Sequence, residues 1–206
     1  KLISKSDIVI NFAAESHVDR SILDPKPFID SNIIGAYTIL EIIRKYKKRL
    51  IQISTDEVFG SLKSDSASEK FPFNPSNPYS ASKASAEMLA KSYVTTFDCN
   101  IITTRCTNNY GPRQSSEKLI PKIILLAEKN QKIPIFGNGK NIRDWIYVID
   151  HCNAILKILF NGEKGKSYNI AGKNEVNNIS IVKKILNIMG KSTDLIHFVK
   201  DRQGHA

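Results

Sequence analysis

Two short segments of the sequence carry side chains that could move protons. Tyr79 and Lys83 stand four positions apart at the start of a predicted helix, so both side chains lie on one face. A nearby ammonium favours the phenolate and lowers the pKa of a tyrosine from its usual value of about 10. Asp56 and Glu57 follow a predicted strand, and adjacent carboxyl groups can act as acid and base where their surroundings separate their pKa values. The pattern predicts acid–base chemistry, although each segment alone also fits a polar surface pair or turn.

Glycine and arginine residues further along the chain favour a phosphorylated ligand. Arg143 follows a turn that contains Gly137 and Gly139, and a guanidinium group pairs with phosphate through a fork of hydrogen bonds. Arg143 could instead form an ion pair with Asp144. Near the start of the chain, the small pair Ala13-Ala14 follows a predicted strand and would let a flat cofactor approach the backbone.

Alternating strands and helices must position these residues. The strand predicted over residues 7–13 is a continuous apolar run, as expected for a buried parallel strand. The alternation that follows predicts an α/β fold with a doubly wound parallel, Rossmann-like sheet. Helices are expected over residues 27–48, 79–97, 117–129, 150–160 and 179–188, and further strands over 50–54, 100–104, 133–136, 142–148, 167–171 and 195–199. We predict two domains, residues 1–112 and a smaller mixed α/β part, 113–206, that is mainly ligand-binding and returns some elements to the first sheet.

The composition argues against several other classes of protein. The 206 residues carry a net charge of +10, but the basic residues are scattered along predicted helices, which indicates a solvated basic surface and no nucleic-acid site. No run of about 18 apolar residues predicts a membrane span. The three cysteines and four histidines lack metal-ligand spacing. We therefore expect no metal and a reducing, cytoplasmic location.

The order of these motifs resembles one enzyme family. A strand that ends in Ala13-Ala14, a strand that ends in Ser54-Thr55, and a later Tyr79-x-x-x-Lys83 are similar to the extended short-chain dehydrogenase/reductase family. The segments 108–112 (Asn-Asn-Tyr-Gly-Pro) and 143–145 (Arg-Asp-Trp) resemble the substrate half of that family. Thr55-Asp56-Glu57 is the feature of its sugar-nucleotide 4,6-dehydratases, which segments 13–21, 117–121 and 201–205 also resemble. The resemblance covers nearly the whole chain.

This resemblance implies an internal oxidation–reduction cycle with NAD as the cofactor. Tyr79 would take the proton of the sugar 4-hydroxyl, which Thr55 would hold, while NAD takes the hydride from C4. Lys83 would lower the pKa of Tyr79 and hold the nicotinamide ribose. Glu57 would remove the proton at C5 as general base, and Asp56 would protonate the leaving 6-hydroxyl as general acid before the hydride returns to C6. The implied reaction converts dTDP-glucose to dTDP-4-keto-6-deoxyglucose for deoxysugar biosynthesis.

The resemblance also implies two sets of binding residues. Those on the NAD side are Phe12, Ala13, Ala14, Glu15, Ser16, Ser31, Tyr79, Lys83 and Asn109. Those on the nucleotide-sugar side are Ser16, Thr55, Asn108, Lys118, Leu119, Ile120, Pro121, Lys122, Ile123, Pro134, Ile135, Phe136, Arg143, Asn178, Asp201, Arg202, Gln203, Gly204 and His205. Phe59 and Phe136 stand where the family usually has tyrosine, and Gln203 where it has proline, but none of these changes removes a proton-transfer group.

The glycine-rich phosphate loop and the acidic ribose-binding residue of such a fold are not in this sequence. The sheet is therefore expected to be truncated at its N-terminal side, and the ligand-binding part at its C-terminal side. We expect these 206 residues, made alone, to bind NAD poorly and to be inactive, and the full-length parent to be active.

Other functions fit parts of the pattern. A UDP-glucose 4,6-dehydratase can share Thr-Asp-Glu, so the base of the nucleotide stays open. The Asp56-Glu57 pair argues against a UDP-sugar epimerase or decarboxylase on the same scaffold, and the intact catalytic set argues against a non-catalytic sugar-nucleotide-binding protein. The family commonly dimerises through the helices predicted over 27–48 and 79–97, so a homodimer with no membrane partner is expected.

Overall fold

The computed structural model describes residues 2–62 and 66–201, and these form two compact units. The first unit contains the described residues of 1–106 and 152–170, and the second those of 107–151 and 171–205. The chain thus leaves the first unit after Cys106 and returns to it at Cys152. Arg202, Gln203, Gly204 and His205, which the resemblance placed on the nucleotide-sugar side, lie outside the described residues.

The elements follow the predicted alternation closely. The strands are β1 (Ile8–Asn11), β2 (Arg49–Thr55), β3 (Ile101–Cys106), β4 (Asn108–Tyr110), β5 (Ile133–Phe136), β6 (Ile142–Tyr147), β7 (Ser167–Ile170), β8 (Glu175–Asn177) and β9 (Ile196–Val199). The helices are α1 (Val18–Leu23), α2 (Lys26–Phe28), α3 (Gly35–Tyr46), α4 (Pro78–Phe97), α5 (Leu119–Glu128), α6 (Val148–Asn161) and α7 (Asn178–Ile188). Short 3-10 turns occupy Ile3–Lys5, Asp56–Phe59 and Thr193–Leu195.

The first unit is built on a parallel sheet with the strand order β1-β2-β3-β7, which confirms the predicted α/β fold. Helices α3 and α4 pack on one face of this sheet. Their Leu40 and Tyr93 meet Leu50 of β2 and Ile101 of β3 in one buried cluster. Each such side chain stabilises the fold by about 1.5–3 kcal/mol when removed from water. This cluster holds the strands so that their carboxyl ends meet at one edge.

The first strand is less buried than its apolar run predicts. Ile8 and Ile10 are 36% and 37% exposed, and only Asn11 is buried. The prediction of a buried strand was wrong because β1, within the described residues, pairs with β2 alone and forms the edge of the sheet. An edge strand leaves one row of backbone groups and part of its side-chain face uncovered.

The helix predicted over residues 27–48 is interrupted in its first half. α2 leads into a π-helical stretch, Ile29–Ile34, before α3 begins. Asn32 lies in this stretch and is buried, at 3% exposure. π-helical turns inside helices are rare and occur often at functional sites.

Among the described residues, no helix has both the length and the hydropathy needed to cross a bilayer.

The N-terminus of α4 is fixed by a complete capping box. The Asn77 side chain accepts a hydrogen bond from the Ser80 amide at 2.9 Å, and the Ser80 hydroxyl lies 3.2 Å from the Asn77 amide. Pro78 occupies the first helical position, where its missing N–H costs nothing. Tyr79 therefore lies in the first turn of α4, and Lys83 follows one turn later on the same face.

The second unit contains two small sheets. β4 pairs parallel with β6, which pairs antiparallel with β8, while β5 pairs parallel with β9. α5 and α7 pack on β5 through Ile123, Ile133, Val182 and Leu186, all fully buried. The three-residue strands β4 and β8 and the helix α1 were not predicted, because segments this short carry no readable periodicity.

Candidate active site

The carboxyl end of β2 forms a tight acidic turn. Thr55, 8% exposed, donates a hydrogen bond to the Asp56 carboxylate at 3.2 Å and accepts one from the Glu57 amide at 3.3 Å. Val58 and Phe59, the last two residues of this turn, are buried. The threonine thus caps the 3-10 turn and places both carboxyl groups where ligands bind in open parallel sheets.

Tyr79 reaches this turn from α4. Its side chain is hydrogen-bonded to the Thr55 side chain, and the Phe28 ring packs edge-on against it with centroids 6.4 Å apart. Burial raises the pKa of Tyr79 well above its usual range, and the negative charge of Glu57 adds to this effect. The hydrogen bond with Thr55 lowers the pKa and so opposes these two effects. Thr55, Asp56, Glu57 and Tyr79 therefore form one cluster, as the sequence predicted.

The direction of the Tyr79 pKa differs from the sequence-based expectation. The spacing of Tyr79 and Lys83 predicted a pKa lowered by the ammonium, whereas desolvation and the neighbouring carboxylates raise it in the ligand-free protein. Desolvation disfavours the phenolate, and a like charge nearby disfavours it further. The phenol is consequently the resting form of this side chain.

Lys83, one helical turn after Tyr79 in α4, is buried. It is 6% exposed, and its ammonium donates to the Ile53 carbonyl at 2.7 Å. Burial lowers the pKa of Lys83, and the charges of Cys106 and Glu87 oppose that change. An ammonium carries three donors, and within the described residues Lys83 makes this one hydrogen bond. Two buried donors at the end of the sheet suit the hydroxyl groups of a ribose.

The loop after β1 is fixed by a residue that sequence reasoning missed. The Asn32 side chain accepts a hydrogen bond from the Glu15 amide at 2.8 Å and donates to the Glu15 carbonyl at 3.0 Å. It also donates to the Ser82 hydroxyl at 2.8 Å, which donates in turn to the Tyr79 carbonyl at 2.7 Å. Asn32 stands beside two other polar residues, Asp30 and Ser31, in the segment Ile29–Ile34, so no sequence signal distinguished it. Asn32 ties the predicted cofactor loop to the turn of α4 that carries Tyr79.

Replacing Asn32 by alanine should therefore destabilise the fold by about 1–3 kcal/mol, because it leaves partly buried backbone groups of Glu15 without their partners. Thermal unfolding measures the loss, and NAD titration of the folded protein should show weaker binding. Thr38→Ala is the matched control, since the exposed Thr38 hydroxyl donates to the Ile34 carbonyl four residues earlier. Unchanged stability and NAD affinity in Asn32→Ala would contradict this role.

The remaining first-unit residues of the NAD set lie around the same loop. The Ala13 amide donates to the Asn11 side chain at 3.1 Å, Phe12 is 57% exposed, and Ser31 lies in the π-helical stretch beside Asn32. The exposed backbone at Ala13 and the buried donors of Lys83 fit a flat cofactor with a ribose. Asn109 of this set lies in the second unit, where its side chain donates to the Thr107 carbonyl at 3.2 Å.

Two strands of the second unit bring part of the predicted nucleotide-sugar set together. β5 pairs with β9 so that Phe136 lies opposite Val199, and the Asp201 carboxyl lies against the Gly137 turn. Gly137 has φ +57°, and a side chain there would approach the Asp201 carboxyl to 2.8 Å. Only glycine accommodates both the backbone conformation and the close approach.

Arg143 and Asp144 are neighbours in β6, and the Asp144 side chain has a structural role. The Asp144 carboxylate accepts hydrogen bonds from the amides of Gly172 and Asn174, both at 2.6 Å. It therefore fixes the loop that precedes β8. Arg143 donates to the Ile142 carbonyl at 2.8 Å. Arg143 lies opposite Val176 of β8 in the strand register, and α7 begins two residues after Val176, at Asn178.

Some predicted substrate residues use their side chains for packing. Ile123 and Ile135 are 1% and 3% exposed in the core of the second unit, so any contact with a ligand would come from their backbone atoms. Asn108 donates to the Asp144 carbonyl at 3.4 Å. The others of this set, Lys118, Leu119, Ile120, Pro121, Lys122 and Pro134, lie at the start of α5 or in β5.

Metal chemistry finds no support in the described part of the chain. No group of three or more histidine, cysteine, aspartate or glutamate side chains there could hold a metal ion. Cys99 is buried, Cys106 half-buried and Cys152 exposed, and all three are free thiols. The side chains of the cluster at the end of β2 and the start of α4 are instead suited to acid–base chemistry.

Known proteins are similar to this chain in sequence and in fold. The profile of the family described as GDP-mannose 4,6 dehydratase matches residues 1–205. A dTDP-glucose 4,6-dehydratase of Mycolicibacterium smegmatis is 43% identical over 99% of this chain, and the match spans 62% of its own length. The chain thus spans less than two thirds of that relative.

Solved structures are similar over nearly the whole chain. The Streptomyces venezuelae DesIV double mutant, a dTDP-glucose 4,6-dehydratase solved with NAD bound, superposes with a TM-score of 0.97 at 37% identity. The alignment covers 99% of this chain and 65% of that one. A UDP-glucuronic acid 4-epimerase of Bacillus cereus superposes at 0.94 with 30% identity, covering 99% and 66%. The fold is therefore common to enzymes of different chemistry, and the site residues must separate them.

Proposed function

The chain belongs to the GDP-mannose 4,6 dehydratase family, and from this premise we propose that it forms the catalytic part of an NAD-dependent dTDP-glucose 4,6-dehydratase. The reaction removes water from dTDP-glucose and gives dTDP-4-keto-6-deoxyglucose. The names of the similar dehydratases support the substrate, and the DesIV structure supports the cofactor.

One observation carries the proposal. Tyr79, Thr55, Asp56 and Glu57 meet in a single cluster at the end of β2. A 4-epimerase needs a base at the 4-hydroxyl, whereas a 4,6-dehydration also needs a base for the C5 proton and an acid for the 6-hydroxyl. The adjacent carboxyl groups supply this additional pair. The site residues thus favour the dehydratase where the fold alone does not.

Tyr79 acts on the 4-hydroxyl. NAD, when bound, accepts the hydride from C4 and later returns it to C6. Tyr79 takes the hydroxyl proton in the first step, and Thr55, already hydrogen-bonded to Tyr79, positions the same hydroxyl. Lys83 offers its remaining donors to the nicotinamide ribose, and its positive charge favours ionised Tyr79.

Glu57 and Asp56 carry out the elimination. The 4-ketone acidifies the proton at C5, and the Glu57 carboxylate removes it. The bond between C6 and its oxygen breaks as Asp56 donates a proton to that oxygen, so water leaves and a double bond joins C5 and C6. Each transfer needs a group within hydrogen-bond reach of its proton, which adjacent positions on one rigid turn provide.

The other parts of the proposal concern binding and assembly. The loop 12–16, Ser31 and Asn109 bind NAD, and the nucleotide-sugar set named above, including Asp201, Arg143 and Asn178, binds the substrate. The protein forms a homodimer through the helical run 26–46 and α4, which expose Ile29, Tyr37 and Met88. It works in the cytoplasm.

The test is a product assay on the full-length protein. With dTDP-glucose and NAD, we expect the alkali-induced absorbance of 4-keto-6-deoxy sugars. Signal with UDP-glucose alone would keep the chemistry and change the base. Silence with both, from folded protein that binds NAD, would refute the dehydratase.

A further inference from the structure

Arg105, at the carboxyl end of β3, is a buried cation that the proposed reaction does not use. It is 5% exposed, and its partner Glu87 on α4 is 4% exposed. The guanidinium Nε lies 2.9 Å and Nη2 2.8 Å from the Glu87 Oε2 oxygen. Two donors on one carboxylate fix the direction of the guanidinium plane as well as its position.

The same guanidinium contacts the acidic turn and the loop that follows it. Its carbon lies 5.1 Å from the centroid of the Phe59 ring and 5.0 Å from that of Phe73. Phe59 ends the 3-10 turn that begins at Asp56. Arg105 therefore links three segments. It contacts α4 at Glu87, one turn after Lys83, and it also contacts the acidic turn and the loop 66–77 that joins this turn to α4.

The loop is held at further points around this contact. Arg105 Nη1 donates to the Glu69 carbonyl at 3.1 Å, and Asn169 of β7 donates through its side chain to the Ala67 carbonyl at 2.9 Å. The Asn74 amide donates to the Val58 carbonyl at 3.0 Å. The loop therefore packs against the turn from one side while Arg105 supports both from the sheet.

Stability alone does not account for a charged pair in this place. Taking two charges out of water costs more than their attraction commonly returns, and well-packed apolar side chains of similar volume are often as stable or more so. What the apolar alternative lacks is direction. A planar group with five donors can fix a carboxylate, a carbonyl and two rings in one relative geometry.

We propose that Arg105 is a positioning residue for the elimination half of the reaction. It fixes the turn that carries Asp56 and Glu57 relative to α4, which carries Tyr79. The inference rests on the proposed function, because it assigns the acid and base to that turn. Oxidation at C4 depends on Tyr79 and on Thr55, the residue immediately before the turn. Elimination depends on the carboxyl groups further along it, where the support of Phe59 matters most.

The test is Arg105→Lys in the full-length protein, since lysine keeps the charge but loses the planar fork and its stacking. We expect kcat to fall on the order of ten- to a hundredfold, as for a misplaced catalytic group, with KM for dTDP-glucose nearly unchanged. The kinetic isotope effect of substrate deuterated at C5 should rise relative to that of substrate deuterated at C4. A merely structural role would lower the folded fraction and leave this ratio at its wild-type value.

Arg49→Lys is the matched control. Arg49 lies in the same sheet and donates to the Gly162 carbonyl at 2.9 Å, but at the amino end of β2. It should keep the wild-type kcat and isotope-effect ratio. An Arg105→Lys protein that matches Arg49→Lys would overturn the proposal.

A second variant keeps the proposal testable if Arg105→Lys does not fold. The double variant Arg105→Met/Glu87→Met leaves no unpaired buried charge, and its reaction should likewise become limited by removal of the C5 proton. An unchanged ratio in this double variant overturns the positioning role. A wild-type protein that turns over neither sugar nucleotide overturns the proposed function, and the positioning role with it.

Discussion

Glu57→Gln should lower kcat for keto-sugar formation on the order of a hundred- to ten-thousandfold, the contribution typical of a general base. The amide has nearly the shape of the carboxylate but cannot accept the C5 proton. The Glu57 group that stabilises the turn is its backbone amide, which donates to Thr55 and is retained in the variant. Folding and substrate binding should therefore change little, and the loss should fall on the chemical step.

Two measurements distinguish this loss from misfolding. In deuterated water, wild-type protein should wash deuterium into C5, and Glu57→Gln should do so far more slowly. Asp56→Asn should keep C5 exchange but release water slowly, because it lacks the acid and retains the base. Glu163→Gln makes the same chemical change at an exposed position and should behave as wild type. C5 exchange at the wild-type rate in Glu57→Gln would refute Glu57 as the base.

The sequence predicted most of the elements and the meeting of the candidate catalytic residues for the same physical reason. Period-two and period-3.6 patterns define which residues face a core, and such patterns are local. The end of β2 and the first turn of α4 follow from local rules as well: an apolar run that stops at Thr55, and a cap at Asn77. Because parallel strands carry ligands at their carboxyl ends, local boundaries were enough to predict the meeting of Tyr79 with the acidic turn.

Features that depend on long-range contacts were not readable in advance. The support of the acidic turn by Arg105 requires α4, β3 and the loop 66–77 to meet, and no spacing in the sequence records this. Asn32 makes its contacts across a similar separation. The exposure of β1 has a comparable cause, since an apolar run shows that a strand can be buried but not how many neighbours it has.

The pKa of Tyr79 gives the second large expected effect. Burial and the charge of Glu57 raise it, so the phenol should stay protonated in the cofactor-free protein at a pH of about 10, where an ordinary tyrosine is half ionised. The ultraviolet difference spectrum between wild type and Tyr79→Phe should then show no phenolate. Glu57→Gln removes a negative charge, so the phenolate of Tyr79 should form at lower pH than in wild type.

Tyr79→Phe should also lower kcat on the order of a hundred- to ten-thousandfold, because the 4-hydroxyl loses its proton acceptor. A base with a raised resting pKa must be ionised by positive charge that arrives or strengthens on ligand binding. Lys83 is the protein's own source of that charge, and its pKa is lowered by burial in the ligand-free state. The raised pKa of Tyr79 and the lowered pKa of Lys83 both disfavour an ionised Tyr79 until the cofactor and substrate bind. A phenolate of Tyr79 that formed below a pH of about 10 in the ligand-free protein would show that the Lys83 ammonium already outweighs burial, and that the base is ionised before any ligand binds.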